Sequence, residues 1–286
     1  MLFTAPGIEK YISAVILFDE TLRQINSNGQ RLSEILQENH IIPGIKVDKG
    51  TWPCPGFNDY PITQGLDQLK QRCDEYRELG AKFTKWRAVI KIIDSFTPDE
   101  VIEANANALA LYASTAQESG LVPIVEPEVL MDGDHKIDIC KKITEKTLNI
   151  VFDKLKKFNV DLNSIVLKPN MIIPGSESNE NVTCSEIADK TLYVLNDCVP
   201  KNVPGIAFLS GGQTEIEATE NLNKINQTKN FPWEITFSYG RALQQSALNK
   251  WNGKEENVKE SQKVFIHRAN MNSLAHQGKY NSELEN

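Results

Sequence analysis

In the segment VLKPN an apolar run ends on an amine, Lys168, and other apolar runs along the chain also stop at polar residues. Those ends carry Lys46 and Lys49, Lys85 and Arg87, Glu126 and Glu128, then Ser210-Gly211-Gly212 and Ser238-Tyr239-Gly240-Arg241. A lone lysine is most often solvated or ion-paired, but several at matching strand ends point to a shared pocket. A lysine attacks a carbonyl only as the free amine, and at its reference pKa roughly one in 2,500 is neutral at pH 7. Partial burial and a second cation both shift that balance. If Lys85 and Lys168 stand on alternate strands of one closed surface, mutual repulsion lowers the nucleophile's pKa. The protonated imine that follows is an electron sink. Glu126 can relay protons to such an adduct if burial brings its carboxyl toward neutrality. An ion pair with Lys85 or Arg87 accounts for the same residue equally well.

The glycines add a second chemistry. Gly211-Gly212 after Ser210, and Gly240 before Arg241, permit close backbone approach, so N–H groups at helix starts can hold a phosphate with the Arg241 fork beside them. Leu209 to Gln213 also spells LSGGQ, an ATPase signature string, but the chain has no GxxxxGK[ST] loop to bind a nucleotide. His40, His135, His267 and His276 lack HxxxH and HExxH spacing, so no metal site is expected and no cofactor is called for.

Positioning these groups needs strands. Seven runs rich in Val, Ile and Phe recur: ISAVILFDE, IIPGIKVDK, FTKWRAVI, GLVPIVEPE, SIVLKPNMI, GIAFLSGG and WEITFSYG. Their hydrophobicity is continuous rather than alternating, as in parallel strands covered on both faces. Between them, Leu66, Leu69, Cys73, Tyr76 and Leu79 make a helical stripe, and Ile216, Leu222 and Ile225 a weaker one. Thr97-Pro98-Asp99-Glu100 and the pair Thr183 and Glu186 read as helix starts. Repeated strand–helix units without GxGxxG predict a TIM-type (β/α) barrel, whose active site gathers at the C-terminal strand ends. From Gly253 one more helix and a polar tail are expected.

Composition sets bounds. With 286 residues, 40% hydrophobic and 24% charged, a single domain over residues 1–286 can bury one large core. The net charge of -7 and dispersed basic residues exclude a nucleic-acid footprint, while small anions remain plausible ligands. Five cysteines without CxxC spacing indicate neither a disulfide framework nor structural zinc, and fit a reducing cytoplasm. The apolar run Ile12 to Phe18 is too short for a membrane span and has no basic leader. The N-x-T sequons at Asn181 and Asn226 read as chance matches.

Taken in order, GIKVDKG, KWR, PIVEPE, LKPNM, FLSGGQ, TFSYGRALQ and NSLAHQGKY resemble segments of the class I fructose-bisphosphate aldolases, along almost the whole chain. The resemblance implies a metal-free, reversible cleavage of fructose 1,6-bisphosphate to dihydroxyacetone phosphate and glyceraldehyde 3-phosphate in glycolysis. It implies Lys168 as Schiff-base lysine, Glu126 as proton carrier and Lys85 as neighbour to the imine. It places Lys46 and Arg87 at the distal phosphate end and counts Glu128 among the substrate-binding residues. Ser210, Gly211, Gly212, Ser238, Gly240 and Arg241 match the phosphate site nearest the imine carbon. A homotetramer is implied as well. The chain starts after the family's opening strand, so seven strands and two unpaired edges are expected where the family barrel has eight. The family's terminal tyrosine is likewise not matched. A second reading therefore stands beside the enzyme: an interaction or scaffold subunit with impaired lyase activity.

Overall fold

The structure, a computed structural model, describes residues 1–228 and 230–285; the last residue of the expected tail, Asn286, lies outside them. In chain order the elements are β1 (Ala14–Leu17), α1 (Asp19–Arg23), α2 (Leu32–Glu38), β2 (Ile42–Lys46), β3 (Thr51–Cys54) and β4 (Phe57–Thr63). There follow α3 (Leu69–Glu78), β5 (Phe83–Ile90), α4 (Asp99–Glu118), β6 (Val122–Val129), α5 (Ile137–Lys157), β7 (Val166–Leu167) and α6 (Cys184–Cys198). The chain then runs through β8 (Gly205–Phe208), α7 (Glu215–Thr228), β9 (Glu234–Phe237), α8 (Arg241–Trp251) and α9 (Val258–His276).

All seven expected runs form strands of one parallel sheet, in the order β1-β2-β5-β6-β7-β8-β9. Among the described residues this is the TIM-type α/β architecture with seven strands, β1 and β9 standing as its two edges. The antiparallel hairpin β3–β4 was not foreseen, because Pro53, Pro55 and Pro61 and its polar residues break the strand pattern. It leaves the sheet beyond β2 and returns to α3.

Strand parity fixes which side chains meet. Successive residues point to opposite faces, so Trp86 on β5 packs outward while Lys85 and Arg87 share the other face. Trp86 stacks on Tyr112 of α4 with ring centroids 5.5 Å apart. The Tyr112 hydroxyl is shared with Thr84 at 2.9 Å and donates to the Ile124 carbonyl at 3.1 Å, tying α4 to β5 and β6. At Gly44 a Cβ would run into the Phe83 ring, so only glycine lets β2 and β5 pack in this register.

The helix readings mostly hold. Leu69, Cys73 and Tyr76 are buried along α3, with Leu66 and Leu79 flanking it. Leu222 and Ile225 are buried on α7, but Ile216 is 46% exposed; the stripe runs through Ala218 and Thr219 instead. Thr183 caps α6, accepting from the Glu186 N–H at 3.2 Å. Thr97 does not cap α4: its hydroxyl donates to the Lys91 carbonyl at 2.7 Å, and Pro98 takes the cap position. After α9 the chain ends in the expected polar segment, and Glu285 in it is tied back to the fold. Arg268 on α9 donates to both oxygens of Glu285, at 2.6 and 2.9 Å, and the Tyr280 hydroxyl donates to the same carboxylate at 2.8 Å.

Candidate active site

Three strands bring the sequence-predicted site residues together. Lys85 stands on β5, Glu126 on β6, and Lys168 directly follows β7. Lys168 lands there because its backbone N–H donates to Val125 at 2.8 Å, continuing the β6–β7 ladder past the last formal strand residue. Asn170 then locks the turn: its amide oxygen accepts the Val129 N–H at 3.0 Å and its NH2 donates to Thr144 at 3.2 Å.

Glu126 lies between the two lysines. The Lys168 Nζ donates to Oε1 at 2.6 Å, and the Lys85 Nζ stands 2.9 Å from Oε2. The second contact is a close ion pair rather than a well-directed hydrogen bond, since Oε2 has no hydrogen-bond partner of good angle. The three residues are 3%, 7% and 8% exposed for Glu126, Lys85 and Lys168. At such burial a charge survives only beside its opposite.

The electrostatics follow from that triad. Burial pushes the Lys168 amine below its ordinary value and Lys85 adds to the shift, while Glu126 opposes it; the net direction is down. This is the direction expected from the sequence. For Glu126 the expectation was reversed. Burial alone would raise its carboxyl toward neutrality, but the charges of Lys168 and Lys85 outweigh burial and hold it below the ordinary carboxylate value. Glu126 therefore rests as a carboxylate between two amines.

Arg87 pairs with Glu128 rather than Glu126, its Nε donating to Oε2. Lys46 donates to Asp48 Oδ1 at 2.5 Å. Asp48 was not singled out from the sequence, although it stands two residues beyond Lys46, and strand parity sends it to the same face. Lys49, by contrast, is exposed.

A cavity of about 670 Å³ is lined by Lys46, Lys85, Lys168, Ser238, Tyr239 and Gly240 among others. Residues of both edge strands, such as Val15 and Phe237, line it as well, so it lies along the open side of the sheet. Arg87, Glu128, Ser210, Gly211, Gly212 and Arg241 are not part of that lining. The last four stand next to it: Ser210-Gly211-Gly212 forms the loop after β8, and Arg241 opens α8 behind its cap residue Gly240. Ser238 donates its N–H to the Phe208 carbonyl at 2.8 Å, which keeps these two loops side by side. Gly212 has φ +79 and a Cβ there would run into the Met131 sulfur, so the turn needs glycine.

A curled parallel sheet with amines and carboxylates gathered at the C-terminal strand ends defines an enzyme of the (β/α)-barrel class. Comparison with known proteins narrows the class. The family model "Fructose-bisphosphate aldolase class-I" matches residues 1–286. Cytosolic fructose-bisphosphate aldolase 4 of Arabidopsis thaliana is 50% identical over 286 residues, which is 100% of this chain and 73% of that protein. Chloroplastic aldolase 1 of the same plant is 49% identical over 285 residues, covering 100% and 71%. Among solved structures, fructose-bisphosphate aldolase from Plasmodium falciparum, crystallised with TRAP and a small-molecule inhibitor, superposes with a TM-score of 0.96. It is 48% identical, over 98% of this chain and 82% of that one. The chain belongs to the class I fructose-bisphosphate aldolases, which are carbon–carbon lyases.

Proposed function

We propose that this chain cleaves fructose 1,6-bisphosphate in glycolysis through an imine on Lys168, with Glu126 and Lys85 sharing the proton and charge work. The observation that carries the reading is the Glu126 carboxylate held between two buried amines, 2.6 and 2.9 Å away.

The proton that must leave the Lys168 ammonium has a receiver in Glu126, along a contact already made. Transfer leaves a free amine to attack the substrate carbonyl and a protonated Glu126 to give that proton to the departing carbinolamine hydroxyl. Water leaves and the protonated imine forms. Glu126, again a carboxylate, then takes the proton of the hydroxyl on the carbon beyond the bond to be broken. The electrons of that bond pass to the imine nitrogen, giving an enamine and releasing the aldehyde. The Lys85 ammonium stabilises the oxygen that carries negative charge during this step. Reprotonation of the enamine and hydrolysis return Lys168 and release dihydroxyacetone phosphate.

Binding follows the charge map. Ser210, Gly211, Gly212, Ser238, Gly240 and Arg241 hold the phosphate next to the imine carbon, through N–H groups at the start of α8 and the arginine fork. Lys46 and Arg87 take the distal phosphate, with Glu128 orienting the Arg87 guanidinium. We further propose one domain over residues 1–286, a homo-oligomer of four subunits and a cytoplasmic location. No helix among the described residues is long and apolar enough to cross a membrane.

The test is steady-state cleavage of fructose 1,6-bisphosphate by the purified chain and by Lys168→Arg. Turnover by the first and none by the second is the expected result, since a guanidinium stays protonated. No turnover by the unsubstituted chain would favour the scaffold reading.

A further inference from the structure

We propose that Asp48 is a positioning residue for carbon–carbon bond cleavage, holding the Lys85 ammonium in place while Glu126 is protonated. The inference rests on the roles proposed above for Lys168 and Glu126. Asp48 lies beyond the end of β2 with its side chain 3% exposed. One oxygen accepts Lys46 at 2.5 Å and, weakly, the Gly50 N–H at 3.3 Å. The other accepts the Arg87 backbone N–H at 3.2 Å and stands 3.6 Å from the Lys85 Nζ. A single carboxylate thus ties β2 to β5 at the level of the reactive amines and gives Lys85 a second counter-charge.

That second counter-charge matters because of what the first one does. Lys85 pairs most closely with Glu126, the group that takes up and returns protons. Each time Glu126 becomes the neutral acid, Lys85 is a buried cation without its nearer partner. Such a cation swings toward other acceptors. Asp48 has no proton to transfer in the cycle and is held by the Arg87 backbone, so its charge and position persist. Lys85 then keeps its aim on the oxygen that develops charge, whereas imine formation on Lys168 does not call on Asp48.

The prediction is a split between two half-reactions. Asp48→Asn keeps the size and an oxygen for the Arg87 N–H but removes the charge. Cleavage kcat should fall roughly 100-fold, the scale of a small misplacement at a reacting centre. Borohydride trapping of dihydroxyacetone phosphate on Lys168 should stay within a few-fold of the unsubstituted rate. Asp48→Glu, which keeps the charge one methylene out of place, should recover part of the cleavage rate and serves as the readout if the Asn variant does not fold. Unchanged cleavage, or cleavage and trapping falling by the same factor in the folded variant, would overturn the proposal. Failure to trap an adduct on Lys168 in the unsubstituted chain would instead defeat the underlying reading.

Discussion

Glu126→Gln is expected to cost stability in a way that depends on pH. The substitution preserves shape but removes the one negative charge shared by Lys168 and Lys85, both buried. Breaking a buried ion pair from one side costs about 3–5 kcal/mol. Lys85 retains Asp48 at 3.6 Å and Lys168 can lose its proton, which points to the lower end, about 3 kcal/mol. At about 2 °C per kcal/mol for a chain of this size, Tm at neutral pH should drop by about 6 °C.

The pH dependence follows from the directions of the two shifts. Glu126 is held below its ordinary value of 4.5, so its stabilisation is present above that value and fades as pH falls through the lower folded value. Lys168 is depressed below 10.5, so the unfolded chain binds more protons in the interval between its folded and unfolded values, and stability rises with pH there. Without the Glu126 charge the Lys168 value falls further, and that interval opens at lower pH. The deficit of the variant should therefore peak near neutrality and shrink toward both acid and alkaline conditions. Chemical unfolding of both proteins across pH measures it. A deficit that is constant from acid to alkaline pH would refute the argument that charge pairing, rather than shape, holds this triad.

Other expectations follow from the same geometry. Lys85→Met removes a cation that depresses Lys168, so the rising limb of the trapping rate against pH should move to higher pH; the same limb should move down in Glu126→Gln. Arg87→Ala removes a charged donor from the proposed distal phosphate site, worth about 1.5–3 kcal/mol. The KM for fructose 1,6-bisphosphate should rise at least roughly ten-fold, with little change for fructose 1-phosphate, which lacks that phosphate. Gly212→Ala forces a side chain into a positive-φ turn against Met131, at about 1–2 kcal/mol. Dihydroxyacetone phosphate binding, followed by calorimetry, should weaken about ten-fold.

The sheet was legible because its strands are continuous β-branched runs, and each of the seven appears where its run lies. Lys85, Glu126 and Lys168 were legible as strand-end polar residues, and parity places them on one surface. What the sequence did not disclose is pairwise and long-range. Glu126 falls below rather than above its ordinary value because the balance between burial and two amines depends on distances of a few ångströms. Asp48 carries no local signal, because its partners on β5 meet it only in the folded chain. The β3–β4 hairpin hides behind three prolines, and Glu285 is held by Arg268 from another element, a partnership that no local pattern announces. Thr97 was misread because its hydroxyl had a nearer carbonyl to satisfy.

The most direct measurement is borohydride reduction of the chain with dihydroxyacetone phosphate, followed by peptide mass mapping. One adduct is expected, on Lys168, formed faster as pH rises through a range below the ordinary lysine value. An adduct on Lys85 or Lys46 in its place, or none on any lysine, would contradict that expectation.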